Sequence, residues 1–307
     1  MMDALVFVLA GAFATATPLL LAALGELVVE KSGVLNLSVE GMMALSAAIA
    51  FMVTLQTGSH LVGFVAGGLS GALLATVFAV LVLGFMANQV AAGLAVGILG
   101  LGLSGLLGRS FEGATLTGLG KIALPGLSDI PVLGRILFTQ DIVVYGAIAA
   151  TALVAWFLYR TKAGLTLRVI GENPGTAHAL GMRPVGVRFL AILFGGVMAG
   201  FAGAYASTVL TPLWSQDMIA GRGWIAVALV VFGTWRPGRV AVGAYLFGAV
   251  SLLGLALQAM GIGIPAQIMT CLPYVLTIVV LVAISADKVR IRLNAPAALG
   301  ESYRPAS

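Results

Sequence analysis

Residues 34–56 read VLNLSVEGMMALSAAIAFMVTLQ, and this stretch decides what kind of chain this is. It is long enough to cross about 30 Å of hydrocarbon as a helix, and its one formally charged side chain is Glu40. Outward from it, every other residue from 32 to 108 also lacks a formal charge. One buried helix of a soluble protein does not account for so long an apolar stretch, so we interpret the chain as a polytopic membrane protein.

The composition of the whole chain excludes a water-soluble globular protein. Of its 307 residues, 60% are hydrophobic and 9% are charged, and the mean hydropathy is +1.10. A soluble domain carries about a quarter charged residues. The basic excess lies in short loops and at the tail, as membrane orientation predicts, so we expect a lipid bilayer and no nucleic acid as partner.

The reactive residue types are sparse. Cys271 is the single cysteine of the sequence, and the two histidines, His60 and His178, lie far apart, so neither a disulfide nor a zinc site is predicted. The phosphate-binding motif GxxxxGK[ST] does not occur. We therefore predict no catalytic residues, no metal and no cofactor on this chain, and any ATP would be bound by a partner subunit.

The apolar runs predict the architecture. Eight of them are long enough to span a membrane, and their lack of strand-like alternation favours helices over a barrel. A ninth run gives only roughly 21 Å of helix, so we expect it to be short or broken. We predict an all-α transmembrane helical bundle of about nine spans, near residues 4–24, 34–56, 61–83, 85–107, 141–159, 188–210, 221–234, 240–260 and 264–285.

The basic residues predict the orientation of the spans. If the run at 221–234 crosses, twelve Lys and Arg residues share one face of the membrane and four lie on the other. The richer face is then cytoplasmic, with the N-terminus outside and the C-terminus inside. We expect residues 1–290 to form one transmembrane domain, with a cytoplasmic loop at 160–188 and a cytoplasmic tail at 291–307.

The loop at 160–188 contains the signature of a short helix. Asn173 is a good N-cap, Pro174 suits the first helical position, and Gly181 follows where a helix would end. This pattern predicts a capped helix of about seven residues in the cytoplasm.

Glu40 is the most unusual residue of the chain. A carboxylate in mid-membrane costs about 2.5 to 3.5 kcal/mol on insertion scales, so such a residue usually faces a partner or an aqueous cavity. On one helix, Asn36 and Glu40 would share a face. Two interpretations stay open: a polar lining that binds substrate, or a hydrogen bond between helices.

Other polar and aromatic residues extend the candidate pathway. Asn88 and Gln89 line the same pore or simply form a polar helix start, whereas Glu26, Glu30 and Lys31 form a solvated turn or a gate contact. Trp214, Trp224 and Trp235 are typical of an interfacial belt and, alternatively, of stacking surfaces for a flat ligand. The candidate substrate-pathway residues are Asn36, Ser38, Glu40, Asn88, Gln89 and Trp224.

Three ordered motifs carry a family resemblance. Residues 25–43 (GELVVEKSGVLNLSVEGMM), 161–174 (TKAGLTLRVIGENP) with Ala177 and Gly181, and 221–226 (GRGWIA) up to Phe232 and Gly233 follow one another in the chain. In order and spacing they resemble the permease subunits of bacterial ABC importers of the branched-chain amino acid, ribose and nucleoside superfamily. The first motif is similar to the nucleoside (simple-sugar) branch in particular.

The resemblance implies three partners and, for the ATPase subunit, the residues that it would contact. Two permease chains, identical or homologous, would enclose the path, each docking its capped helix into an ATPase subunit while an extracytoplasmic solute-binding protein delivers ligand. The second motif is similar to the family's coupling segment. The residues that this implies for ATPase coupling are Glu172, Asn173, Pro174, Thr176, Ala177 and Gly181.

The functional hypothesis follows. We expect a non-enzymatic permease subunit of an ATP-driven importer in the bacterial cell membrane, translocating nucleosides. One alternative is a permease for simple sugars or other small solutes. The others are an ion-coupled secondary transporter with Glu40 as its proton or sodium site, and a membrane scaffold.

Overall fold

The computed structural model describes residues 2–123, 125–126, 128, 130, 133–259, 271–272, 275, 278–279, 282 and 294–304, and the chain is mostly helical over them. Over these residues, seven helices have 19 or more residues, and two of them continue into a π-helical turn, at Val80–Gly84 and Ala206–Leu210. The seven are α1 (Met2–Lys31), α2 (Val39–Thr57), α3 (His60–Ala79), α4 (Gln89–Gly108), α6 (Ile142–Arg160), α9 (Pro184–Tyr205) and α11 (Pro237–Ala259).

The remaining elements are short. An amphipathic helix and a one-and-a-half-turn helix follow α6, and an eleven-residue apolar helix precedes α11. Two-residue strands form the antiparallel pair that departs, within the described residues, from the all-α prediction. These elements are β1 (Ile122–Ala123), α5 (Leu133–Leu137), β2 (Thr139–Gln140), α7 (Lys162–Glu172), α8 (Pro174–Ala179) and α10 (Arg222–Phe232).

The helices agree with most of the predicted spans. Within the described residues, six are long and apolar enough to cross a membrane, matching the first six runs. The runs at 221–234 and 240–260 fall on the shorter apolar helices Arg222–Phe232 and Pro237–Leu253, and the run at 264–285 lies mostly outside the described residues. The polytopic helical bundle is confirmed, whereas the count of nine spans stays a prediction.

The chain is not helical where the second span was expected to begin. The helix α2 starts at Val39, because Gly33 has a left-handed φ of +89° and the Asn36 side chain accepts a hydrogen bond from the Ser38 backbone at 3.0 Å. Such a local bond competes with helix formation. The prediction that Asn36 and Glu40 share one helix face is therefore wrong.

Glycine contacts bring the helices close together. Helix α1 packs on α6, α9, α10 and α11, and α2 packs on α3, α4 and α9. Where α3 crosses α9, a Cβ at Gly71 would lie 2.1 Å from the carbonyl oxygen of Gly196, and where α2 crosses α4, a Cβ at Gly41 would lie 2.2 Å from that of Gly97. Backbones this close need residues without side chains, as membrane helix packing favours.

A layer of irregular chain covers one end of the bundle. Residues 111–117 pair with the segment after α9 through a bridge between Thr115 and Leu213 and a hydrogen bond from the Leu116 amide to the Pro212 carbonyl. Trp214 packs beneath this layer against Phe51. Trp214 is buried, so its interpretation as an interfacial residue is wrong.

Candidate functional site

Glu40 anchors the start of α10. Its side chain is only 4% exposed, and its two carboxylate oxygens accept the backbone N–H groups of Gly221 and Gly223, each at 2.6 Å. These amides open α10, whose N-terminus carries partial positive charge, so a carboxylate is favourable there. The structure thus places Glu40 in the contact between helices that was its second interpretation.

The fit at this contact also explains two glycines. A Cβ at Gly223 would lie 2.4 Å from the Cα atom of Glu40, and Gly221 has a left-handed φ of +83°. Both glycines therefore let the α10 backbone approach the carboxylate. The sequence alone did not connect Gly221 and Gly223 with Glu40.

The turn before α2, residues 32–38, is held by polar side chains of α4, of α1 and of the turn itself. The Gln89 Oε1 atom accepts the Leu35 amide at 2.8 Å, and a Glu26 carboxylate oxygen accepts the Asn36 amide at 3.0 Å. Within the turn, the side-chain Oδ1 atom of Asn36 accepts both the amide and the hydroxyl of Ser38. Asn36, Ser38 and Gln89 are buried here, so the structure brings these three candidates together with Glu26.

Two of the pathway candidates are exposed. Asn88 is exposed, and its side chain accepts the Ala91 amide at 3.0 Å, which makes it the N-cap of α4. Trp224 on α10 is 52% exposed, so its indole face is free for a partner. The pathway role of the six candidates stays a prediction.

Glu30 and Trp235 form a contact that sequence reasoning missed. The indole N–H of Trp235 donates to a Glu30 carboxylate oxygen at 2.5 Å, and both side chains are buried. Glu26 and Lys31 are buried as well, so the solvated turn predicted for these charges is wrong, as is the interfacial position of Trp235. The sequence did give one signal for this contact: Glu26, Glu30 and Lys31 stand next to a long apolar run, and charged residues are rare in this chain.

The capped helix is present as predicted. Helix α8 spans Pro174–Ala179, its N-cap Asn173 accepts the Thr176 amide at 2.9 Å, and Gly181 has a left-handed φ of +80°. The sequence pattern sufficed because a cap, a first-turn proline and a terminal glycine are all local signals.

The exposure of its side chains shows which side of α8 faces solvent. Ala177 is fully buried and anchors the helix, Pro174 is half-buried, and the other coupling candidates are exposed to solvent. The exposed candidates are Glu172, Asn173, Thr176 and Gly181. The helix therefore presents one surface that a partner protein can contact.

Replacing the N-cap tests how α8 is held. We expect Asn173→Ala to destabilise α8 by about 1 kcal/mol, because the Thr176 amide loses its acceptor. Backbone amide exchange of residues 175–181 should then rise about fivefold. Gly175→Ala is the matched control: its Cβ would meet only Asn173, at 3.4 Å, so slower exchange is expected. Equal exchange in both variants would contradict the capping role.

These features define a class of protein. A bundle of long apolar helices with buried polar contacts between its segments, together with a short capped helix exposed on one side, is the architecture of a polytopic membrane protein. The family model described as "Branched-chain amino acid transport system / permease component" matches residues 8–284, and the chain belongs to this family. The resemblance drawn from the three motifs is confirmed.

Relatives with curated names agree with this assignment. The chain is 40% identical to a putative glucose ABC transporter permease protein of Haloferax volcanii, with 94% of each chain covered. It is 34% identical to a guanosine ABC transporter permease protein of Bacillus subtilis, over 94% of this chain and 93% of that one. It is 32% identical to a nucleoside ABC transporter permease protein of Lactococcus lactis, over 86% and 88%. No solved structure matches the chain significantly.

Family membership has direct consequences for the class of function. The chain is a multi-pass protein of the cell membrane and a permease component of an ABC transporter, not an enzyme. An ABC permease implies two kinds of partner, an ATPase subunit and a substrate-binding protein.

Proposed function

We propose that this chain is one of two permease subunits of an ATP-driven importer that moves nucleosides into a bacterial cell. The observation that carries the proposal is α8, a helix anchored by the buried Ala177 and exposed on its other side, within a chain of the ABC permease family. A motor protein docked on that exposed side would bias the bundle between outward-facing and inward-facing arrangements. ATP would bind to the partner subunit, and this chain would carry no cofactor.

The orientation belongs to the same proposal. Residues 160–188 and the tail at 291–307 would lie in the cytoplasm, residues 1–290 would form the transmembrane domain, and the N-terminus would lie outside. The excess of Lys and Arg on that side supports it. With α10 as the short seventh crossing, nine spans satisfy this arrangement.

A nucleoside is the substrate we favour. Relatives named for guanosine and for nucleosides match nearly the whole chain at 34% and 32% identity. The exposed indole of Trp224 offers a surface on which a flat base can stack. We keep Asn36, Ser38, Glu40, Asn88 and Gln89 as pathway candidates, with Asn36, Ser38 and Gln89 acting through the shape of the turn at 32–38 and Glu40 through the start of α10.

A simple sugar is the second candidate, because the relative named for glucose is 40% identical to this chain. Binding of guanosine and of glucose to the cognate solute-binding protein separates the two, measured by titration calorimetry. Micromolar binding of guanosine with no binding of glucose supports the nucleoside proposal, and the reverse result replaces it.

The coupling role is tested in vesicles that contain the full transporter. Replacing Asn173-Pro174-Gly175 by a flexible Gly-Ser linker should abolish ATP-dependent uptake, because the docking helix loses its cap and its first turn. The control is the same linker in place of Gly118-Leu119-Gly120, where a Cβ on either glycine would meet no neighbouring atom within 4 Å. Uptake that survives the first replacement would refute the coupling role.

A further inference from the structure

The C-terminal segment 294–304, which we term the clasp, folds back onto the helical bundle. The Ala298 amide donates to the carbonyl of Gly171, the second-last residue of α7, at 3.0 Å. The Gly300 amide donates to the carbonyl of Gly33, in the turn before α2, at 3.3 Å. The clasp therefore bonds through its backbone to the segment that leads into α8 and to the turn that leads into α2.

Side chains secure the first part of the clasp. Lys31 donates from Nζ to the Asn294 carbonyl at 2.7 Å, and a Glu172 carboxylate oxygen accepts the Ala297 amide at 3.3 Å. Ala298 is itself buried, at 3% exposure. One cation at the end of α1 and one carboxylate at the end of α7 thus hold the same short segment.

Arg188 joins the clasp to the turn from inside the protein. Its side chain is 1% exposed, and it donates from Nε to the Ser32 carbonyl at 3.0 Å and from Nη1 to the Glu301 carbonyl at 3.3 Å. The same Glu301 carbonyl accepts from Gln89 Nε2 at 3.2 Å. A planar guanidinium holds two acceptors in a defined geometry, which a lysine ammonium cannot do.

The clasp, the end of α7 and the turn at 32–38 pack closely against one another. A Cβ at Gly171 would lie 2.2 Å from the Lys31 carbonyl oxygen, and a Cβ at Gly33 would lie 2.6 Å from Arg188 Nη2 and 3.3 Å from the Ala298 carbonyl oxygen. Elements that pack this closely move together, because little free volume lies between them and a displacement of one element is transmitted to the next.

We propose that the clasp couples α8 to the turn at 32–38, with Arg188 as its positioning residue. Movement of α8 would displace the end of α7, and the clasp would transmit that displacement to residues 32–38 and so to Glu40 and α10. The contiguous contacts from Gly171 through Ala298 and Gly300 to Gly33 are the physical basis for this route. The inference rests on the proposed function, since it assumes that a partner moves α8.

The test uses the complete transporter in vesicles, loaded with ATP and given guanosine. We compare deletion of residues 294–307 with deletion of residues 305–307, which leaves the clasp intact. The longer deletion should lower the guanosine transported per ATP hydrolysed by about fivefold or more, the range of ordinary coupling energies, while the subunits still assemble. An assembled complex with an unchanged ratio overturns the proposal.

A second pair of variants decides the matter if the longer deletion prevents assembly. Arg188→Met removes the donors at the junction, and Arg188→Lys keeps one charge that reaches one carbonyl. We expect both variants to assemble, with a lowered transport ratio in Arg188→Met and a partly restored one in Arg188→Lys. Equal ratios in the two variants and the unaltered chain, or failure of both to assemble, would show that Arg188 serves only folding and overturn the proposal.

The failure of this inference is distinguishable from that of the proposed function. If the unaltered complex shows no ATP-dependent uptake of any tested solute, the proposed function fails. The clasp is then judged on the purified chain by hydrogen exchange of residues 33–38, which should rise about fivefold or more when residues 294–307 are deleted. Unchanged exchange there overturns the clasp whatever the substrate is.

Discussion

Replacement of Glu40 by alanine should destabilise the folded chain by about 3 kcal/mol or more. The two backbone N–H groups that open α10 would lose their acceptors, and a hydrogen bond to a charged group contributes about 1.5 to 3 kcal/mol. Both amides would then lie in protein at a site where the carboxylate was 4% exposed. The expected result is loss of the monodisperse peak in detergent chromatography and a lowered melting temperature.

Two further variants show what Glu40 does. Glu112→Ala removes an exposed carboxylate and should leave the melting temperature unchanged. Glu40→Gln keeps one oxygen as an acceptor but directs an amide N–H₂ toward a backbone N–H, so an intermediate loss of stability is expected. A Glu40→Gln chain that is fully stable yet inactive in uptake would contradict the anchoring role and favour an ion or substrate site.

Replacement of Gly71 by valine should prevent α3 and α9 from packing as they do. A Cβ at Gly71 would lie 2.1 Å from the Gly196 carbonyl oxygen and 3.0 Å from the Gly200 Cα atom, and neither atom can move without its helix. Overpacking of a core costs about 1 to 3 kcal/mol, and more where backbone opposes backbone. We therefore expect loss of about 3 kcal/mol or more, measured as a lowered melting temperature.

Gly102 on α4 provides the matched control. It is also a helical glycine in an apolar helix, but a Cβ there would meet no heavy atom within 4 Å. Gly102→Val should therefore leave the stability of the chain unchanged. A Gly71→Val chain as stable as Gly102→Val would show that the two helices can separate at no cost.

Local chemistry made some of the structure predictable. The six long spans were visible because about twenty consecutive apolar residues have few other places to lie than a membrane. Helix α8 was visible because Asn173, Pro174 and Gly181 act on neighbours a few residues away. The family resemblance depended on motifs of the same local kind.

Contacts between distant residues were not predictable in this way. Glu40 was singled out for its charge, but its partners are 181 and 183 positions away. The start of α2 was placed too early because hydropathy does not report the turn at Gly33 and Asn36. The burial of Glu26, Glu30 and Lys31 depends on the turn at 32–38, Trp235 and the clasp folding against them, which no local pattern specifies.

The amino-acid order thus settles that this chain lies in a membrane, where its main helices run, and which short helix stands outside the bundle. Each of these follows from the free energy of transferring a continuous segment or from bonds between near neighbours. The tertiary structure decides which hydrogen-bond partners each buried charged side chain has. A carboxylate or guanidinium in an apolar interior needs a partner, and it finds one only where distant segments meet, as Glu40 does at α10 and Arg188 does at the clasp.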